Sequence, residues 1–194
     1  MTTPEASDTF IIDPAASRLT VQAFAGGLLS ALGHNPTFAT RQYHGAVTFD
    51  PATPASASLT LTVKAASLAL VDAVSQADRR SIESTMHDAV LESASYPDIR
   101  YVSRQATVRT SSHGSFEATL RGTLSLHGVD KPVDIPVKVA LTADMLRSVG
   151  EFTLRQSDYG IRPVTVAGSM LRVKDDLTCA FDMVARRQPG ATAT

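Results

Sequence analysis

The amino-acid sequence predicts an all-β fold, an antiparallel sandwich or barrel, with one amphipathic α-helix. Apolar and polar side chains alternate through most of the 194 residues, as in strands with one buried face. Short breakers containing glycine or proline separate these runs. One segment departs from the period of two. We therefore predict a single domain over residues 10–187, an N-terminal arm over 1–9 and a disordered tail over 188–194.

The predicted strands follow one another along most of the chain. The clearest alternation is "SLTLTVKA", 58–65, in which Leu59, Leu61 and Val63 share one face. Gly122 interrupts another run, and a glycine inside a strand often marks a bend or bulge. The remaining predicted strands are, in order, "SRLTVQAF", "GAVTFD", "DIRYVS", "SFEATLRGTLSL", "VDIPVKVAL", "GEFTLRQS" and "LTCAFDMVA".

The segment "SQADRRSIESTMHDAVLE" has the spacing of a helix instead. Ile82, Met86 and Val90 fall on one helical stripe, which predicts an amphipathic α-helix over about residues 76–92. Ser75 followed by Asp78 resembles an N-terminal capping pair, and a proline at position 97 prevents continuation. We expect this helix to pack over the sheet or across the mouth of a barrel.

The composition argues against several classes of partner. The net charge is −1, there is no tryptophan and aromatic residues make up 6% of the chain, so a nucleic-acid surface is not expected. No stretch approaches the length of a membrane span. The N-terminus "MTTPEASDTF" has no basic region followed by an apolar one. We therefore expect a cytoplasmic protein if Met1 is the native start, and a periplasmic one if the chain was trimmed.

The sequence offers no local catalytic or metal-binding motif. Cys179 is the only cysteine, which excludes an intramolecular disulfide and a cysteine-based zinc site; we interpret it as a small core residue. There is no G-x-S-x-G elbow, phosphate loop or dinucleotide fingerprint. We predict neither an enzyme nor a cofactor or metal. The histidines lack metal-ligand spacing and are His34, His44, His87, His113 and His127.

Five stretches in order make the chain resemble the YceI-like family. These proteins are lipocalin-like barrels that bind polyisoprenoids or other long-chain lipids. Where family members often carry a His-Leu pair in the second strand, this chain has "QAFAGGLL", and its helix is longer and less aromatic. The resemblance covers roughly residues 10–185, through "FIIDPAASRLTVQAF", "YHGAVTFDP", "YPDIRYVS", "LRGTLSLHGVDKPVDIPVKV" and "RQSDYGI".

The resemblance implies an antiparallel eight-stranded barrel whose interior holds an apolar ligand. His34 or Arg79 would contact a polar head group at the mouth, and in the "RQSDYGI" stretch Arg155 and Asp158 would form a buried or half-buried ion pair. Ile82, Met86 and Val90 would close one end. The predicted ligand-binding wall is Leu19, Val21, Phe49, Leu61, Val63, Ile82, Met86, Val90, Ile99, Tyr101, Leu120, Leu124, Phe152, Leu154, Phe181 and Met183.

The leading functional hypothesis is non-catalytic binding, transport or storage of a polyisoprenoid, an isoprenoid quinone, or a fatty acid or its amide. No nucleic acid or transmembrane segment is expected, and a homodimer follows only from the resemblance. One alternative is a structural or interaction protein whose barrel is filled by its own side chains. A weaker alternative is an enzyme acting on a lipid, since catalytic residues need not be adjacent in sequence.

Overall fold

The computed structural model is a closed antiparallel barrel whose wall has eight positions, each occupied by one long strand or by two short ones. The structure describes residues 8–26, 35–50, 52–112, 114–165 and 172–188. The eight-stranded barrel predicted from the sequence is confirmed. The strands are β1 (Asp8–Ile12), β2 (Arg18–Gln22), β3 (Ala25–Gly26), β4 (Thr37–Thr40), β5 (Tyr43–Phe49), β6 (Ser58–Lys64), β7 (Ala69–Leu70), β8 (Asp98–Ser112), β9 (Ser115–Leu126), β10 (Val129–Leu141), β11 (Met145–Arg155), β12 (Arg172–Val173) and β13 (Asp176–Arg187).

Three of the eight wall positions consist of two short strands placed end to end. Strands β1 and β2 lie end to end along β13. Strand β5 pairs with β1, and β4 pairs with β2. In the next position, β6 pairs with β5, and β7 pairs with β4. The long strands β8, β9, β10, β11 and β13 then complete the wall as a meander. Where β1 gives way to β2, the Ser17 hydroxyl donates to the Asp13 carbonyl at 2.6 Å and accepts from the Val184 amide at 2.9 Å. This buried hydroxyl bridges the interrupted ladder.

A β-bulge in β8 changes which side chains face inward. The register to β9 shifts between Ser103 and Gln105, so inward positions are odd-numbered before the bulge and even-numbered after it, at Ala106 and Val108. The buried Ser103 hydroxyl donates to the carbonyls of Gln105 and Arg121 and fixes this irregularity. A β-bulge of this kind re-aims a strand without ending it.

The predicted helix is present as α1 (Gln76–Thr85), extended by a π-helical turn over Met86–Val90. Ser75 caps it, because its hydroxyl accepts a hydrogen bond from the Asp78 amide at 3.1 Å. The Leu91 amide donates to the Met86 carbonyl at 2.8 Å, which is the spacing of a π turn. The helical segment ends at Val90, two residues before the predicted boundary, and Glu92 then adopts a positive φ of 43°.

The ladder between β10 and β11 covers only part of their length. Lys138–Leu141 pairs with Leu146–Val149, whereas the preceding half of β10 pairs only with β9. The Leu141 amide donates toward β9 and the Thr142 amide toward β11, so even-numbered positions of β10 face β11. Pro132 and Pro136 occupy two of these positions and have no N–H to donate. The divided part of the wall is defined here as the seam.

Side chains cover the seam where the ladder is missing. After β11, a 3₁₀ turn over Gln156–Tyr159 leads to Ile161, and both Tyr159 and Ile161 are buried. They join Ile135 of β10 and Leu154 of β11 in one apolar cluster. Apolar packing therefore replaces hydrogen bonding over this part of the wall.

The turn after β11 is held by a different carboxylate from the one predicted. The predicted Arg155–Asp158 ion pair is wrong: Arg155 Nε lies 3.7 Å from Asp175 and 3.5 Å from Asp176, while Asp158 is exposed. Asp175 accepts hydrogen bonds from the Ser157 amide at 2.8 Å and the Ser157 hydroxyl at 2.5 Å. These bonds hold the pKa of the Asp175 carboxyl below its ordinary value.

The first and last strands of the barrel lie close to the predicted domain limits. Strand β1 already begins at Asp8, so Asp8 and Thr9 belong to the barrel and not to the arm predicted over 1–9. Strand β13 ends at Arg187, and the Gln188 amide still donates to the Thr9 carbonyl at 2.8 Å. The rest of the predicted tail lies outside the described residues. Within the described ranges, no helix has the length and apolar character needed to cross a lipid bilayer.

Candidate functional site

The barrel surrounds a cavity of about 840 Å³. This volume lies within the range of about 300–1,000 Å³ that is typical of small-molecule sites. Its wall is almost entirely aliphatic and aromatic, because the inward-facing positions of the strands carry leucine, valine, isoleucine, alanine and phenylalanine. The alternating apolar faces seen in the sequence therefore enclose a hollow rather than a second packed layer.

The sixteen predicted wall residues all lie on this cavity. Strands β2, β5, β6, β8, β9, β11 and β13 contribute thirteen of them, and the helical segment contributes Ile82, Met86 and Val90. The inward-facing side is thus the one expected at each of these positions. That these side chains contact a ligand stays a prediction.

The two candidate head-group residues have different outcomes. His34 lies outside the described residues. Arg79 is not among the cavity-lining residues; its guanidinium donates to the carbonyls of Leu70 and, at 2.7 Å, Asp72, and it lies 3.8 Å from Glu83. These contacts fasten the start of α1 to the strand before it. The Arg79 guanidinium therefore holds the start of α1 against the end of β7.

The two ends of the cavity differ in character. At one end, Phe49 and Phe116 meet edge to face with ring centroids 5.1 Å apart, and Phe10 is completely buried beside them. We call this the phenylalanine end. The opposite end, called the helix end, is bounded by α1, by Ala25 of β3 and by Arg172 of β12. Aromatic rings thus line one end of the cavity.

Several inward-facing residues were not predicted from the sequence. Ala106 and Val108 were missed because the bulge reverses the alternation of β8. Phe38 of β4 lies in "TFAT", where an alternating signal is present but short. Alanines such as Ala118 and Ala185 also line the cavity; the prediction favoured large side chains, although small ones are what leave space.

The buried polar side chains of Tyr101 and Gln156 on the wall have protein partners. The Tyr101 hydroxyl hydrogen-bonds to the carbonyls of Val133 at 3.0 Å and Leu120 at 3.2 Å, and burial raises its pKa. Gln156 is buried and donates to the Lys174 carbonyl at 2.9 Å. Burial raises the pKa of the Cys179 thiol to about 12, so at neutral pH the thiol is protonated and a poor nucleophile.

The nearest approach to an acid–base pair lies away from the cavity wall. His127 Nε2 is 3.5 Å from a Glu92 carboxylate oxygen, and the imidazole packs on the Tyr96 ring at 4.4 Å between centroids. None of the three residues lines the cavity. Among the described residues, no group of three or more histidine, cysteine, aspartate or glutamate side chains is placed to hold a metal ion. The candidate site is thus an apolar cavity.

Comparison with known proteins identifies a matching domain family and solved structures with a similar fold. The profile of the YceI-like domain matches residues 10–185. The Burkholderia cenocepacia protein BcnA is 21% identical with a TM-score of 0.70, covering 90% of this chain and 99% of that one. A polyisoprenoid-binding domain from Saccharophagus degradans is 16% identical with a TM-score of 0.66, covering 95% and 100%. The YCEI protein of Campylobacter jejuni is 18% identical with a TM-score of 0.57, covering 78% and 85%. No curated protein sequence matches significantly.

Proposed function

The chain belongs to the YceI-like domain family, and from that membership we propose that its barrel binds one long-chain apolar molecule and carries or stores it chemically unchanged. The candidate classes are a polyisoprenoid, an isoprenoid quinone, and a fatty acid or its amide. The observation that carries the proposal is the cavity of about 840 Å³ with an apolar wall. The related domain from Saccharophagus degradans is described as polyisoprenoid-binding, which supports the same class.

The energetics of the cavity favour an occupant. At about 24 cal/mol per Å³, a dry and empty space of 840 Å³ would destabilise the fold by about 20 kcal/mol. That exceeds the whole net stability of an ordinary domain, about 5–15 kcal/mol. Wall atoms facing a void lose their dispersion contacts, and a hydrocarbon chain restores them. The same volume argues against the alternative of a barrel filled by its own side chains.

Burial of a single alkyl or prenyl chain is sufficient for useful affinity. A chain of about 15 methylenes contributes roughly 12 kcal/mol of gross transfer energy at about 0.8 kcal/mol each. The loss of translational and conformational freedom opposes this by about 4–15 kcal/mol. Micromolar affinity can therefore arise from the wall alone, and a polar head group then adds selectivity.

The proposal is tested on the purified protein. Organic extraction followed by mass spectrometry should recover one stoichiometric long-chain molecule, and delipidated protein should melt at a higher temperature when a polyprenol, a ubiquinone or hexadecanoate is added. At a ligand concentration of 100 times Kd, the expected stabilisation is about 2.7 kcal/mol. An extract without lipid, together with unchanged melting for all three compounds, would refute the carrier function.

A further inference from the structure

Gln156 brings a primary amide to the apolar wall of the cavity. It follows directly on β11, in which the even-numbered residues Phe152 and Leu154 face inward, and it continues this alternation. The residue is only 4% exposed, so hydrogen bonds are needed to offset the burial of its amide. A side-chain amide can donate two hydrogen bonds and accept two, and its partners can therefore be counted.

The orientation of the Gln156 amide is fixed by the Lys174 carbonyl, to which Nε2 donates at 2.9 Å. A carbonyl can only accept, so the nitrogen faces Lys174 and the oxygen Oε1 is the other end of the amide. The backbone of Gln156 is held as well, because its N–H donates to the Asp175 carbonyl at 3.0 Å and its carbonyl accepts from the Ile161 amide at 3.1 Å. The amide oxygen thus has a defined position before a ligand binds.

No described residue donates a hydrogen bond to the Gln156 oxygen. Four other side chains in the described ranges have polar atoms sealed in packed protein without a partner, but this oxygen is not sealed. It therefore borders open space, and the space that Gln156 lines is the cavity. The Tyr101 hydroxyl on the same wall differs, because its proton is already directed to main-chain carbonyls. The Gln156 oxygen is thus an acceptor available to a molecule inside the barrel.

We propose that the Gln156 amide oxygen accepts a hydrogen bond from the head group of the ligand, and that the barrel selects an uncharged chain that ends in a hydroxyl or an N–H group. A prenyl alcohol and a fatty amide both carry such a donor. The oxygens of a quinone, an ester or an ether only accept, and they would leave the amide oxygen unpaired in an apolar wall. This inference rests on the proposed function and narrows its ligand class.

Two pairs of compounds that differ in one donor measure this preference on the parent protein. We would determine Kd for dodecan-1-ol and its methyl ether, and for dodecanamide and its N,N-dimethyl derivative, by displacement of a fluorescent alkyl probe from delipidated protein. A wall with apolar contacts alone would rank the four compounds by their alkane–water partition coefficients. The donor-bearing member of each pair should bind about fivefold more tightly than this ranking predicts, which is the net effect of one ordinary hydrogen bond.

A variant then assigns the preference to one side chain. Gln156→Met keeps the length of the side chain and removes the acceptor, so it should abolish the fivefold excess and leave the affinity for the methyl ether unchanged. The matched control is Gln22→Met, the same substitution at a glutamine that donates to the Thr37 hydroxyl at 3.4 Å and does not line the cavity. It should keep the full excess. Thermal melting confirms that both variants are folded, and the ligand pairs on the parent protein decide the question if Gln156→Met is not.

The failure of this inference is distinguishable from the failure of the carrier function. If all four compounds follow their partition coefficients on the parent protein, or if Gln156→Met keeps the excess, the assignment is overturned and the carrier function stands. Ser148 also lines the cavity, near the other end of β11; loss of the excess in Ser148→Ala but not in Gln156→Met would equally overturn it. If none of the four compounds binds, the proposed function and the Gln156 site both fall.

Discussion

Two tryptophan substitutions test directly whether the cavity is hollow. Leu61 of β6 and Leu124 of β9 both face inward and lie on either side of Tyr101, which is the register partner of each. We predict that Leu61→Trp and Leu124→Trp are tolerated by the fold but weaken ligand binding strongly. In a packed core the order of these two effects would be reversed.

The magnitudes follow from the volume. The 840 Å³ hollow equals about 28 water volumes at roughly 30 Å³ each, and each new ring takes up only a few of these. The penalty of about 1–3 kcal/mol that overpacking imposes on a filled core should therefore fall below about 1 kcal/mol per site. If the two rings displace about four methylenes, binding loses about 3 kcal/mol, or roughly 200-fold in Kd.

The native chain contains no tryptophan, so every introduced indole reports on its own position. Denaturant unfolding gives the change in stability, and the emission wavelength shows whether the ring is dry. The matched controls are Thr60→Trp and Thr123→Trp, at exposed positions that directly precede the two leucines. They should emit like hydrated indole and leave hexadecanoate binding intact.

One result would refute this reasoning. If each inward tryptophan lowers the free energy of unfolding by about 1–3 kcal/mol, while Kd for hexadecanoate stays unchanged, then the interior is filled and ligand binds elsewhere. Stability losses at the control positions would instead indicate that the wall itself rejects tryptophan, and the comparison would be repeated with phenylalanine.

Further predictions concern the thiol, the helix, the turn after β11 and the seam. Because its pKa is near 12, Cys179 should resist iodoacetamide at pH 8 in the folded protein and react in denaturant, as followed by mass spectrometry; rapid native labelling would contradict its burial. Ser75→Ala should lower the free energy of unfolding by about 1 kcal/mol through loss of the helix cap, and an unchanged denaturation midpoint would contradict the capping role. Asp175→Asn should destabilise more than Asp158→Ala. Since the pKa of Asp175 is lowered in the folded state, its contribution to stability is complete above the unfolded-state pKa and is lost as the pH falls through the folded-state pKa. The difference between the variants should therefore begin to shrink below about pH 4 and vanish only when the pH lies below the folded-state pKa; equal melting of the two variants at pH 7 would exclude it. In hydrogen exchange, the Thr153 amide, which points across the seam, should exchange faster than β11 amides bonded to β13, and equal protection would show that the ladder is complete.

The period of two in the sequence is sufficient to predict the barrel wall, because a strand with one apolar face leaves little choice about which side is buried. Leu61 and Val63 illustrate this, since both face inward as expected. The helix was equally predictable: its stripe of Ile82 and Met86 and its cap at Ser75 are local signals. Local periodicity and local capping do not depend on distant parts of the chain.

What could not be predicted depends on pairing between distant strands. The bulge after Ser103 falls in a polar run, "SRQ", where nothing in the residue types marks a change of face. Arg155 meets Asp175 because β11 and β13 are adjacent, although the two residues are far apart in sequence.

The seam shows how such a wall can surround a hollow. In a sandwich, two faces must fill one another, whereas the strands of a closed barrel are held in place by their own ladder. Here the ladder between β10 and β11 is missing beside Pro132 and Pro136, and at that place the apolar residues Tyr159 and Ile161 pack across the divided strands. The wall therefore keeps its shape although side chains do not meet at the centre of the barrel. Because of this, aliphatic residues of medium size can face inward and still leave space for a ligand.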